Sequence, residues 1–117
     1  MLTTTTKRVE ELEEEIDNTI FNDIVELAKS NSPEFLSLFS KGYPEFVEAI
    51  KRLDPNIRNA ELSFFALAFL NFSTKDIAAF TFVTPRAVQI RKNRMRKKYD
   101  IPSEVDFNKW TRALVVN

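Results

Sequence analysis

The sequence predicts an all-α protein, a helical bundle, and three observations carry that reading. Gly42 is the only glycine in 117 residues. Apolar residues recur at steps of three and four, with few of the alternating β-branched runs that make strands. Most of the five prolines stand where a helix would begin. The length suits one small domain, and 44% hydrophobic with 29% charged residues is enough to bury a core.

The first helix is expected from about Thr4 to Lys29, with Val9, Leu12, Ile16, Ile20, Ile24 and Leu27 on one face. Phe21, Val25 and Ala28 widen that face. The stretch from Glu10 to Asp17 is acidic with a narrow apolar stripe, as in an arm that pairs with another helix, so Leu12 and Ile16 are dimer candidates. Asn31-Ser32-Pro33-Glu34 reads as a helix start, capped by Ser32 or Asn31, and Gly42 as its end. Pro44 opens the next helix, with Phe46, Val47, Ile50 and Leu53 apolar, and Asp54-Pro55 stops it. One long and two short helices thus fill an N-terminal segment, residues 1–55.

Residues 56–117 hold four more helices. Asn59 to Leu70 is so apolar that it should be central. Ser73-Thr74-Lys75-Asp76 is a capping box that opens a short helix to about Phe80. Thr84-Pro85 caps a helix to about Lys98. Ser103-Glu104-Val105-Asp106 is a second capping box, opening a last helix to about Val116 with Val105, Trp110, Ala113 and Leu114 on one side. Trp110 and Leu114 are further dimer candidates. The eleven phenylalanines are assigned to the core, since they lie at helical spacing.

Composition excludes most chemistry. Cysteine and histidine are absent, which removes disulfides, thiol catalysis and the commonest metal ligand and general base. A single glycine cannot build a Gly-rich phosphate loop. No nucleophile–base pair can be named, so the chain is not expected to be an enzyme, nor to hold a cofactor or metal. The glutamates from Glu10 to Glu15 read as a solvated face. The longest apolar run, Phe64 to Leu70, is far short of a membrane span, and the N-terminus lacks an apolar signal core. The expectation is a cytoplasmic protein.

The zero net charge is split. Residues 1–50 carry 4 basic and 11 acidic side chains, and residues 51–117 carry 13 basic and 6 acidic. Seven of the fourteen residues from Pro85 to Lys98 are Lys or Arg, with no acid among them. A helix of one sign repels itself and implies a polyanion or an acidic partner. At about 100° per residue, Val88, Lys92, Met95 and Tyr99 form an inward stripe. Arg86, Gln89, Ile90, Asn93, Arg94 and Lys97 face the other way, and Arg91, Arg96 and Lys98 fall on the flanks. Gln89 and Asn93 suit bidentate contact with adenine, and Ile90 suits a thymine methyl. Lys75, Thr84, Arg86, Arg91, Arg94 and Lys97 are candidate phosphate contacts. The plain alternative is a solvated helix docked on the acidic N-terminal half.

The stretch FSTKDIAAFTFVTPRAVQIRKNRMRKKYDI resembles the LuxR/NarL-type helix-turn-helix, whose pattern is close to LSxKEIAxxLxISxxTVxxHxxxIxxKLxI. Ser73, Lys75, Asp76, Ile77, Ala78, Thr84, Pro85, Val88, Met95, Lys98 and Ile101 carry the match, with Ala60-Glu61-Leu62 upstream. The likeness is to divergent C-terminal domains of Bacteroidetes-type regulators, often preceded by tetratricopeptide repeats and a coiled coil. The resemblance implies a four-helix domain whose second and third helices read double-stranded DNA and whose last helix often makes a dimer contact. It places Gln89, Ile90 and Asn93 at the base-facing positions. It also implies a bacterial transcription regulator acting as a homodimer, with RNA polymerase or an upstream sensor domain as further partners. Departures are Arg91 for the usual His, Lys92 for an apolar residue, Asp100 for a glycine, and Arg58 for a Thr or Ser cap. Two other functions are compatible with the residues. One is a protein-interaction adaptor, like sigma region 4, whose basic helix meets an acidic partner. The other is a basic helix lying on anionic lipid, against which Ile90 stands as the only large apolar residue of the outward face.

Overall fold

The computed structural model describes residues 19–115, and every regular element among them is a helix. Helix α1 covers residues 19–29 of this range. It is followed by α2 (Phe35–Gly42), α3 (Pro44–Leu53), α4 (Asn59–Phe69), α5 (Thr74–Thr81), α6 (Pro85–Lys98) and α7 (Phe107–Ala113). Leu12 and Ile16 lie outside the described residues.

Helix α4 is the hub, as its composition predicts. Leu62 and the run Phe64 to Ala68 are all buried. Its neighbours are α2 on one side and α7 on the other, while α5 and α6 pack on each other. One core therefore runs through both halves of the chain. At one end Phe39 sits edge-on to Phe46 and to Phe69, with centroids 5.8 and 5.9 Å away. At the other end Phe65 stacks on Phe107 at 5.7 Å and meets Trp110 at 5.7 Å and Tyr99 at 5.2 Å. Trp110 and Leu114 are both half-buried against this core.

Several helix signals act differently from their sequence reading. Ser32 does not cap α2 at the N-cap position. Glu34 stands there without a side-chain bond, and the Ser32 hydroxyl instead accepts from the Glu34 N–H at 3.1 Å. At the start of α4, Arg58 occupies the N-cap position and makes no side-chain cap. Gly42 is the last residue of α2 but its φ is not positive. It allows a close approach: a Cβ there would lie 2.9 Å from Ile24 Cδ1 and 3.4 Å from Ile20 Cγ2. Leu53, expected in the apolar face of α3, is exposed.

The last helix starts later than expected. The Ser103 capping box does not form: Asp106 is the N-cap and accepts from the Lys109 N–H at 2.9 Å. The Ser103 hydroxyl bonds the neighbouring Glu104 instead. The reason lies on α6, where Arg96 Nη1 donates to the carbonyls of Pro102 (2.7 Å) and Val105 (3.0 Å) and holds that stretch as a turn. Phe107 and Thr111 are the residues α7 buries, and Ala113 is exposed.

Among the described residues, four have positive φ: Asn31, Asn71, Phe82 and Asp100. Each follows a helix, and the next N–H returns to a carbonyl of the last turn, as in Val83 to Ala78 and Ile101 to Arg96. Asparagine tolerates this conformation; a phenylalanine in it is strained.

Candidate nucleic-acid interface

The sequence signals that open α5 and α6 both act as caps. The Ser73 hydroxyl accepts from the Asp76 N–H at 3.1 Å and the Asp76 carboxylate accepts from the Ser73 N–H at 3.1 Å, a reciprocal capping box. The Thr84 hydroxyl accepts from the Ala87 N–H at 3.1 Å, with Pro85 in the first position of α6. Three residues separate the two helices, with Phe82 turning the chain in the left-handed conformation. The result is two capped helices joined by a short turn, the second presenting one long face outward.

That face is the one the periodicity assigns. Val88 and Met95 are buried, and Lys92 and Tyr99 are half-buried beside them. Arg86, Gln89, Ile90, Asn93, Arg94 and Lys97 are all exposed, Ile90 at 49%. Ile90, Asn93, Arg94 and Lys97 line a shallow groove along it. Gln89 Nε2 donates to Asn93 Oδ1 at 3.1 Å. Lys75 and Thr84 are reachable as well, Lys75 exposed in the first turn of α5 and Thr84 exposed at the α6 cap.

The seven basic residues of α6 divide into two groups. Four are engaged inside the molecule. Arg91 Nη2 donates to the Ala60 carbonyl at 2.8 Å, with its guanidinium 4.8 Å from the centre of the Phe64 ring. Lys92 Nζ donates to Thr74 Oγ1 at 2.8 Å, its stem passing the core to reach it. Burial pushes both the Arg91 guanidinium and the Lys92 amine below their ordinary pKa. Arg96 holds the turn before α7, and Lys98 pairs with Glu61. The remaining three, Arg86, Arg94 and Lys97, make no ion pair or hydrogen bond with any described residue. Arg91 is thus set apart from the other candidate phosphate contacts.

Helix α6 is fixed at its C-terminal end by a polar cluster that the sequence reading missed. Lys98 Nζ donates to both Glu61 oxygens, at 2.8 and 2.9 Å, and stands 3.8 Å from Asp54 Oδ2. The Tyr99 hydroxyl, with a single proton, lies 2.8 Å from Asp54 Oδ2 and 2.8 Å from Glu61 Oε2. Burial works to raise the Glu61 pKa, but the bonds from Lys98 and Tyr99 and the Lys98 charge carry it below its ordinary value. Burial and the two carboxylates push the Tyr99 phenol well above its ordinary value. The only signal for this cluster in the sequence is acids at Asp54 and Glu61 within a basic half.

No ion pair among the described residues joins α6 to residues 19–50. Among the described residues, the side-chain bonds of the basic helix run to α4, to α5 and to the turns before α4 and α7. The assignment of all eleven phenylalanines to the core also needs correction. Phe82 is 84% exposed and Phe21 41%. Phe82 is followed by Val83, itself 48% exposed, in the turn between α5 and α6.

The chain matches no protein-family model, no curated protein and no solved structure. Among the described residues, no helix is long and apolar enough to cross a membrane.

Proposed function

We propose that the chain binds double-stranded DNA, with α6 lying in the major groove, as a sequence-specific transcription regulator. One observation carries this: the three basic residues of α6 without an internal partner share one exposed face with Gln89, Ile90 and Asn93. A helix whose positive charge served only to hold the fold would have spent all seven cations as it spends Arg91, Lys92, Arg96 and Lys98. In this arrangement Arg86, Arg94 and Lys97, with Lys75 and the Thr84 cap, neutralise phosphates and set the register. Gln89 and Asn93 meet base edges, and Ile90 meets a thymine methyl. A homodimer would set two such helices about one helical turn apart and favour a palindromic or directly repeated site.

The test is fluorescence anisotropy with a labelled duplex at low salt. Arg86, Arg94 and Lys97 are changed together to Gln, and Lys51, exposed on α3, is changed to Gln as a control. The triple variant is expected to lose most of its affinity while the control keeps it. Equal binding by all three proteins would defeat the proposal.

A second function, a protein-interaction adaptor whose basic face meets an acidic partner, draws on Phe82 and Val83. An exposed aromatic in the turn that precedes a helix with unpaired cations also suits a protein surface. In that case a duplex does not bind, and an acidic helical peptide does.

A further inference from the structure

A second candidate site lies behind α6, away from the outward face. A cleft of about 430 Å³ opens between the α1–α2 connection and helices α4, α5 and α6. That volume falls in the range of small-molecule sites. Its walls are mainly apolar, including Leu36, Phe64, Leu67, Ile77 and Val83, and among the described residues Arg91 is the only charged one that lines it.

Arg91 has no counter-ion among the described residues. A guanidinium has five N–H donors, and the structure gives Arg91 one acceptor, the Ala60 carbonyl. Its other contact is the face of Phe64. No carboxylate lies within ion-pairing distance of it among the described residues. Glu61, which acts on it at longer range, is already held by Lys98 and Tyr99. Half-burial of an unpaired cation is costly, and an incoming carboxylate would relieve that cost with a bidentate bond.

We propose that this cleft binds a small apolar carboxylate, its hydrocarbon part among the α2, α4 and α5 side chains and its anionic end on Arg91. The charge of the lining selects the class: an apolar cation would meet Arg91 repulsively, and a neutral hydrocarbon would leave it unpaired. Ala87, Val88 and Arg91 of α6 line the cleft, so its occupant touches the back of the helix whose front carries the candidate nucleic-acid face. Binding there does not depend on whether the chain binds DNA.

The experiment is an amide chemical-shift titration of the isotopically labelled chain with octanoate, and separately with 1-octanol. Octanoate is expected to give saturable shifts at Ser63, Thr81, Val83 and Ala87, and to bind at least about tenfold more tightly than 1-octanol. Arg91→Gln is expected to remove that preference while Arg91→Lys keeps part of it. Three outcomes overturn the proposal: shifts that do not saturate, equal affinity for acid and alcohol in the unaltered chain, or shifts confined to Arg86, Arg94 and Lys97. The comparison of acid with alcohol decides the matter even if the Arg91→Gln variant fails to fold.

Discussion

Gln89 and Asn93, one turn apart on the exposed face of α6, are joined by a 3.1 Å hydrogen bond from Gln89 Nε2 to Asn93 Oδ1. The bond fixes which amide atoms point outward. It leaves the Asn93 amino group and the Gln89 carbonyl free to meet an acceptor and a donor, the pattern adenine offers in the major groove. The two side chains should therefore act as a unit. Asn93→Ala is expected to cost about 1–3 kcal/mol of discrimination at one base pair. The Gln89→Ala/Asn93→Ala double variant should lose less than the sum of the singles, by about 0.5 kcal/mol or more. Binding measured on matched and single-mismatch duplexes checks this; strict additivity would show two independent contacts.

Lys97 has no partner among the described residues and should act through charge alone. Lys97→Ala is expected to weaken binding equally on all duplexes and to reduce the salt slope by about 1. Lys75, Arg86, Arg94 and Lys97 together set an expected slope of about −3 to −4 for one copy. A sequence-dependent loss in Lys97→Ala would place this residue at a base edge instead.

Phe82 is strained without a packing return. Its φ is 58° and its side chain is 84% exposed. Phe82→Gly is expected to stabilise the fold by about 0.5–1 kcal/mol, since glycine takes the left-handed conformation freely. Thermal melts of both proteins decide it. A lower Tm for the variant would mean that the ring is held by contacts in solution.

The Asp54–Glu61–Tyr99–Lys98 cluster gives stability at both ends of the pH scale a defined sign. The Glu61 pKa is depressed in the fold, so its contribution is present above the ordinary carboxylate range and is lost as pH falls through the folded value. The Tyr99 pKa is raised from 10.0, so its contribution is complete below that value and is lost as pH rises past it. Tyr99→Phe removes the proton that lies between the two carboxylates and should destabilise the fold by about 1–3 kcal/mol near neutral pH. Above about pH 10 the gap between the two proteins should narrow, because only the tyrosine protein loses stability by ionising. Denaturant titrations across pH test this, and a gap that widens in alkali would refute it.

Gly42 stands where α1 approaches α2. A Cβ at position 42 would lie 2.9 Å from Cδ1 of the fully buried Ile24, which must shift to admit it. Gly42→Leu is expected to cost about 1–3 kcal/mol through overpacking. Ile24→Val in the same chain should return part of it. Unchanged stability in Gly42→Leu would mean that α1 is not held on α2 in solution.

Local signals made much of this legible from sequence. The caps at Ser73 and Thr84 act through bonds three residues long, and the inward stripe of Val88 and Met95 follows from helical period alone. What escaped depends on distant partners. The division of the α6 cations rests on the Ala60 carbonyl, on Thr74 and on Glu61, which no spacing along α6 reveals. The late start of α7 follows from Arg96 capturing the Pro102 and Val105 carbonyls, which overrides a sound capping signal at Ser103. Phe82 departs from the core assignment of the phenylalanines because the chain takes the left-handed conformation there to end α5, and the ring is left exposed.

The most direct test of the central claim is binding of the intact chain to a pool of random-sequence duplexes across a salt series, with sequencing of the bound fraction. The expected result is binding that falls steeply with salt and enriches a short, repeated, A·T-biased motif whose spacing reports the dimer. No binding at low salt, or binding that enriches no motif, would contradict sequence-specific recognition by the outward face of α6.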